Sequence, residues 1–224
     1  MRFIISSYSS LNKVTKWLVM ILAIEIIVSL VTLISDAYQI RLLTSIMNYE
    51  YDYSTAISLA GVNDVWQAII SGIGLAVTIL SIIILLYWFY RAYRNLPSLG
   101  AKVLKFSPKW VIAYFFIPIL ALWKPFMALE EIWTNSTDGY SSSSTKSSYI
   151  LLIWWILFIV SNLMGFSLGR SITSATTLEG ITNWSNQDIV LQILIMVSNA
   201  LFIYIAKEVC GKQEIKHQNV PTVQ

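Results

Sequence analysis

Long apolar runs alternate along the chain with short polar stretches. Residues 17–34, 68–90, 149–168 and 189–206 each form a largely apolar block of 18 to 23 residues. A helix rising about 1.5 Å per residue needs roughly 20 such residues to cross about 30 Å of hydrocarbon. These blocks therefore predict four transmembrane helices. A cleaved signal peptide competes for the first block, because Ser35-Asp36-Ala37 resembles a cleavage site. Its apolar core exceeds the roughly 7–15 residues usual for such a signal, so an uncleaved helix is expected.

A fifth apolar run, residues 110–123, is shorter and contains Pro118. As a helix it would reach only about 21 Å. Lys124 and Pro125 end it, and residues 126–133 read as a short amphipathic helix with Glu130 and Glu131 on its polar side. The expected fold is all-α: a polytopic membrane helical bundle of four transmembrane helices plus a proline-broken re-entrant or interfacial segment. Five spans are the alternative. A re-entrant backbone must be covered by protein, since lipid cannot pair its free amides and carbonyls. Between the blocks, residues 35–65 read as an irregular or partly helical cap, and residues 135–148 as a mobile serine-rich linker. The expected organisation is one membrane domain over 1–212, then a polar, disordered cytoplasmic tail over 213–224.

Charge selects between the layouts. Residues 91–109 hold Arg91, Arg94, Lys102, Lys105 and Lys109 with no acid. With four spans, residues 1–16, 91–148 and 207–224 share one side and carry +3, +4 and +1, while 35–65 and 170–188 carry −3 and −1 on the other. Every sign fits the positive-inside bias, which places both termini in the cytoplasm. Five spans would put the Lys-bearing tail outside.

Overall composition narrows the function classes. The chain is 56% hydrophobic and 12% charged, and its net charge of +3 gives a nucleic-acid partner no electrostatic support. A single cysteine, Cys210, and a single histidine, His217, exclude an intrachain disulfide, a Cys/His metal set and two axial haem histidines. No Ser/His/Asp set or phosphate-cradling glycine loop is present. Gly72-Ile73-Gly74 lies inside an apolar helix and follows no strand. Accordingly no enzymatic activity and no cofactor are expected. Asn135-Ser136-Thr137 and Asn183-Trp184-Ser185 match the glycosylation pattern, which matters only in a eukaryotic secretory pathway.

Polar residues within the spans are the candidate site. Glu25 sits near the middle of the first, where a carboxylate costs several kcal/mol unless paired, hydrated or protonated. Asn162, Gln192 and Asn199 on other spans are its candidate contacts. The reading is either a proton or cation site or a packing contact across helices. Gly165 and Gly169 form a GxxxG, and Gly72 with Ala76 a small-xxx-small pair; both permit close helix approach, expected here within the chain.

Residues 87–133 carry a family pattern: Trp88, Arg91-Ala92-Tyr93, Asn95-Leu96, Leu99-Gly100, Ser107-Pro108, Trp110, Ile117-Pro118, Leu122-Trp123, Pro125 and Glu131-Ile132-Trp133. In this spacing the chain resembles the bacterial membrane-protein family of domain of unknown function 4328. The resemblance implies a multi-helix protein of the bacterial inner membrane and implies no activity. The same residues also read physically. Asn95, Pro97 and Gly100 end the second span, Pro118 breaks the short run, and Trp110, Trp123 and Trp133 suit headgroup depth. Glu130 or Glu131 is placed to pair with Arg91 or Arg94, the alternative being that all four charges are solvated. The functional expectation is a non-enzymatic envelope partner or accessory module, in contact with the bilayer and with another membrane protein or a second copy. The alternative is a small transporter or channel using Glu25 as its titrating group. A lipid-processing enzyme is a weaker third, for want of a nucleophile or metal set.

Overall fold

Each of the four long apolar blocks folds into a helix that outruns it. The computed structural model describes residues 8–137 and 144–219. The long helices are α1 (Asn12–Met47), α2 (Tyr53–Arg94), α5 (Ser144–Ser171) and α6 (Leu178–Asn219). All four are long and apolar enough to cross a membrane. Between α2 and α5 lie α3 (Pro108–Ala113), α4 (Lys124–Ser136) and three short 3-10 turns, and a fourth such turn follows α5. Among the described residues there is no strand. The protein is an all-α membrane helical bundle.

Two polar stretches are more ordered than their composition suggests. Only residues 48–52 of the expected irregular cap lie outside helix. Tyr49, at φ 57°, turns the chain there. Asp52 then starts α2 by accepting the Ser54 and Thr55 amides at 3.1 and 3.2 Å. These are the free donors of a helix N-terminus, and the carboxylate also suits the helix dipole. The expected disordered tail is corrected likewise: α6 runs on to Asn219, with Val209 and Gln213 fully buried one turn apart. Packing of that face holds the last turns, while residues 220–224 lie outside the described residues. Of the serine-rich linker, residues 135–136 belong to α4 and residues from Ser144 to α5, and residues 138–143 lie outside the described residues.

The chain forms two compact units. The first comprises the chain up to Leu22, Leu80–Ile156 and the chain from Leu201; the second comprises Ala23–Ile79 and Leu157–Ala200.

An aromatic core organises the first unit. Trp154 stacks on Phe202 with centroids 4.5 Å apart, and Trp88 meets Phe202 edge-on at 5.5 Å. Trp88 Nε1 donates to Thr15 Oγ1 at 3.1 Å, pairing the indole N–H that burial would otherwise strand. The broken segment packs on this core through Phe115, 5.2 Å from the Phe89 ring. Pro108 opens α3, a helix of six residues, and Ile117 is extended (φ −100°, ψ 106°), as the residue before a proline prefers. No element of residues 110–123 is long enough to make a fifth crossing. Trp155 Nε1 donates to the Leu122 carbonyl at 2.9 Å, one of the pairings an interrupted backbone needs in lipid.

Close backbone approach shapes the second unit. A Cβ on Gly74 of α2 would stand 3.8 Å from Val28 of α1, and one on Gly165 of α5 3.6 Å from Leu191 of α6. The small residues thus permit helix packing at Gly74 and Gly165. Of the motif glycines Gly165 alone makes such an approach, since Gly72 and Gly169 face open space, and Gly74 lies outside the motifs.

Candidate functional site

Two buried polar constellations stand out, one in each unit. That of the first unit is built on the family-pattern residues at the end of α2. Gly100 takes φ 87°, which a glycine adopts without steric cost, and closes the turn after Arg94. Asn95 is thereby held inward, 2% exposed. Its Oδ1 accepts from the Ser9 amide at 3.2 Å, and its Nδ2 donates to Ser9 O at 2.9 Å and to Gln213 Oε1 at 3.1 Å. Gln213, from α6, donates through Nε2 to Ala92 O and Ser136 Oγ, both at 3.0 Å. One amide pair therefore ties together the chain before α1, the end of α2, α4 and α6.

Glu131 makes a second tie. It accepts from the Tyr93 hydroxyl at 2.7 Å and from the Lys105 amide at 2.9 Å, while the Tyr93 oxygen accepts the Phe106 amide at 2.9 Å. For Glu131 and Arg91 the structure takes neither expected course, pairing or solvation. Glu131 locks the broken segment to α2 through tyrosine and backbone, and Arg91 instead donates to Ser9, to Ser10 O at 3.3 Å and to the Tyr87 hydroxyl at 3.2 Å. Glu131 is buried, with the Tyr93 hydroxyl and the Lys105 amide as its donors. Trp110 and Trp123 are open to the surroundings, but Trp133 is buried beneath Lys212, whose Nζ stands 3.5 Å from its ring centroid. Pro118 is exposed, and Pro125 is buried at the start of α4.

The second unit holds Glu25, and its surroundings differ from the expected ones. Its Oε1 accepts from Thr78 Oγ1 of α2 at 3.0 Å. Asn162 donates to Phe158 O of its own helix and Gln192 to Asp188 Oδ2 of its own helix, so neither bridges to Glu25. Asn199 Nδ2 is buried without a partner. Each amide is drawn to an acceptor on its own helix, or to none, rather than across to α1.

A different group of polar side chains is buried in this unit. Asp36 of α1 is 1% exposed and Asp188 of α6 is 6% exposed, and the two carboxylates lie close enough to interact electrostatically. Gln67 of α2 approaches Asp36 as well, but not in hydrogen-bond geometry: both Asp36 oxygens and Gln67 Nε2 are without partners. Gln39 lies one turn after Asp36 on the same face of α1, and Ser185 one turn before Asp188 on the same face of α6. Both are buried, and Gln39 Oε1 and Ser185 Oγ have no partner. Gln192 Nε2, 3.1 Å from Asp188 Oδ2, fixes that carboxylate.

Sequence reasoning placed Asp36 and Asp188 in loops and did not select them. The signal was a polar stripe at helical spacing: 36 and 39, 63 and 67, then 185, 188 and 192, each group beside the end of an apolar block. In comparison with known proteins, the family model described as "Domain of unknown function (DUF4328)" matches residues 52–209. No match was found among curated proteins or among solved structures.

Proposed function

The chain belongs to the DUF4328 family, and from that premise we propose that it is a non-enzymatic module of the bacterial cytoplasmic membrane that works by associating with another membrane protein or a second copy. Both termini face the cytoplasm in this reading, which the excess of Lys and Arg on residues 1–16, 91–148 and 207–224 supports. The observation that carries the association is the Glu25–Thr78 pair. Both residues lie within apolar blocks, yet Thr78 is exposed and Glu25 only half-buried. A carboxylate at that depth costs about 3 kcal/mol or more, while a single hydroxyl donor returns about 1 kcal/mol. A partner helix bringing a further donor would close the difference. The neighbouring surface of α2 suits such a helix: only 11% of its most apolar stretch is buried, half or less of the share in the other three spans. Gly72 there faces open space.

Extraction of the native membrane into lipid-retaining polymer discs, followed by size and mass measurement, tests this. The wild-type chain should carry a stoichiometric second chain, and Glu25→Leu should release most of it while remaining folded. A wild-type chain that is solitary in such discs overturns the reading.

A further inference from the structure

A groove of about 410 Å³ opens in the first unit between the first turns of α1 and the later turns of α6. Lys16, Val19 and Met20 line it from α1, and Lys207, Cys210 and Gly211 from α6. Each trio is spaced i, i+3, i+4, so each is one face of its helix. We infer that this groove binds one anionic phospholipid, its phosphate between Lys16 and Lys207 and an acyl chain running over Val19 and Met20.

Depth, charge and shape each support this. Lys16 directly precedes the first apolar block and Lys207 directly follows the last. The two ammonium groups therefore meet at one membrane border, at the level of lipid phosphates. On the hydrocarbon side of that level α1 presents Val19 and Met20; on the water side α6 presents Cys210 and Gly211. The groove changes from polar to apolar in the same order as a phospholipid does. Its positive charge is unanswered by the protein. None of the lining side chains is acidic, and among the described residues neither lysine has an ion-pair partner. The acids on the adjoining turns of α6 are engaged elsewhere: Glu208 pairs with Lys212 at 3.7 Å, and Glu214 accepts from the Ser10 hydroxyl at 2.6 Å and the Leu11 amide at 3.1 Å. Asn12, also at the groove, accepts from Cys210 Sγ at 3.3 Å through Oδ1, which leaves Nδ2 as a further donor. Gly211 supplies the space, since a Cβ there would meet nothing within 4 Å. A zwitterionic headgroup would bring its own cation against two lysines, and a free phosphate would leave Val19 and Met20 uncovered. A lipid of net negative charge answers both ends of the groove.

Native mass spectrometry tests this on the purified full chain, delipidated in mild detergent and titrated with phosphatidylglycerol or with phosphatidylcholine of the same acyl chains. One phosphatidylglycerol should bind, about tenfold more tightly than phosphatidylcholine. Lys16→Gln and Lys207→Gln should each weaken its binding about fivefold, while Lys16→Arg and Lys207→Arg should keep it. Gly211→Leu fills the groove without changing charge and should weaken binding about tenfold. Lys102→Gln, which removes an exposed lysine that does not line the groove, should bind like wild type. All these positions are exposed, and circular dichroism with monodispersity confirms that each variant is folded. Equal affinity for the two lipids overturns the inference, as does wild-type binding by Gly211→Leu. A loss in Lys102→Gln as large as in the groove lysines also overturns it, by showing general attraction to a basic surface. Displacement of phosphatidylglycerol by millimolar inorganic phosphate would assign the lysines to a free phosphate and overturn it too.

Discussion

The first unit ties down its buried amides and its buried carboxylate, although the Tyr8 and Ser81 hydroxyls there lack partners, whereas the second leaves a buried carboxylate without a hydrogen bond. Asn95 and Gln213 together make five hydrogen bonds between 2.9 and 3.2 Å. Glu131, equally withdrawn from solvent, meets a hydroxyl and a backbone amide. In the second unit the Asp36 carboxylate is as deeply buried, yet neither of its oxygens is hydrogen-bonded. Burial alone therefore does not tell what a polar residue is for. Where donors and acceptors balance, a buried network fastens elements together.

The sharpest way to break the comparison is to unbalance the network of the first unit. Gln213→Leu removes both donors to Ala92 O and Ser136 Oγ and the acceptor of Asn95 Nδ2. Stranding a buried polar group costs about 1–3 kcal/mol each, so a loss of about 3 kcal/mol is expected after partial rehydration. Reversible unfolding in mixed micelles measures it. A loss below about 1 kcal/mol would mean that water replaces Gln213 and that the network is no fastener.

The second unit should respond with the opposite sign. Asp36→Asn replaces one of two neighbouring buried carboxylates by an isosteric amide that can donate to Asp188. That should stabilise the protein by about 1–2 kcal/mol, as replacement of poorly compensated buried charge often does. The same micelle unfolding checks it. A destabilisation as large as that of Gln213→Leu would show that Asp36 is a satisfied structural acid and that the contrast between units is false.

How much of this was legible beforehand follows from what each signal encodes. Block length and Pro118 fixed the number of crossings, because hydrocarbon thickness and the missing proline amide act locally. The end of α2 was legible for the same reason: Gly100 at φ 87° is a backbone requirement written in one residue. Partner choice was not, because Glu131 selects Tyr93 over Arg91 by three-dimensional packing. The aspartate pair was hidden by a boundary error. Helix ends were set at apolar ends, although a helix needs only backbone pairing and continues where its polar residues find neighbours. α1 extends to Met47 and α6 begins at Leu178, which turns presumed loop acids into neighbouring helix residues. Glu25 attracted attention because it interrupts an apolar block, whereas Asp36 merely follows one.

The smallest effect belongs to a third aspartate, and it sharpens the comparison within one unit. Asp52 is exposed and meets only donors: the Ser54 and Thr55 hydroxyls and amides hold its carboxyl well below the usual carboxylate range. A lowered value in the folded state means that the cap contributes fully above the unfolded value of about 3.9 and fades as pH falls below it toward the folded value. Amide exchange at Ser54, Thr55 and Ala56 should therefore be equally protected from neutral pH down to about 4 and lose protection below that. Asp52→Asn still caps a helix but does not titrate in this range, so its profile should stay flat. If that variant lost protection over the same interval, the effect would lie elsewhere in the turn. If instead the wild type alone lost it, Asp52 and Asp36 would be opposite cases on neighbouring elements: a carboxylate whose charge the fold already answers, and one whose charge it does not.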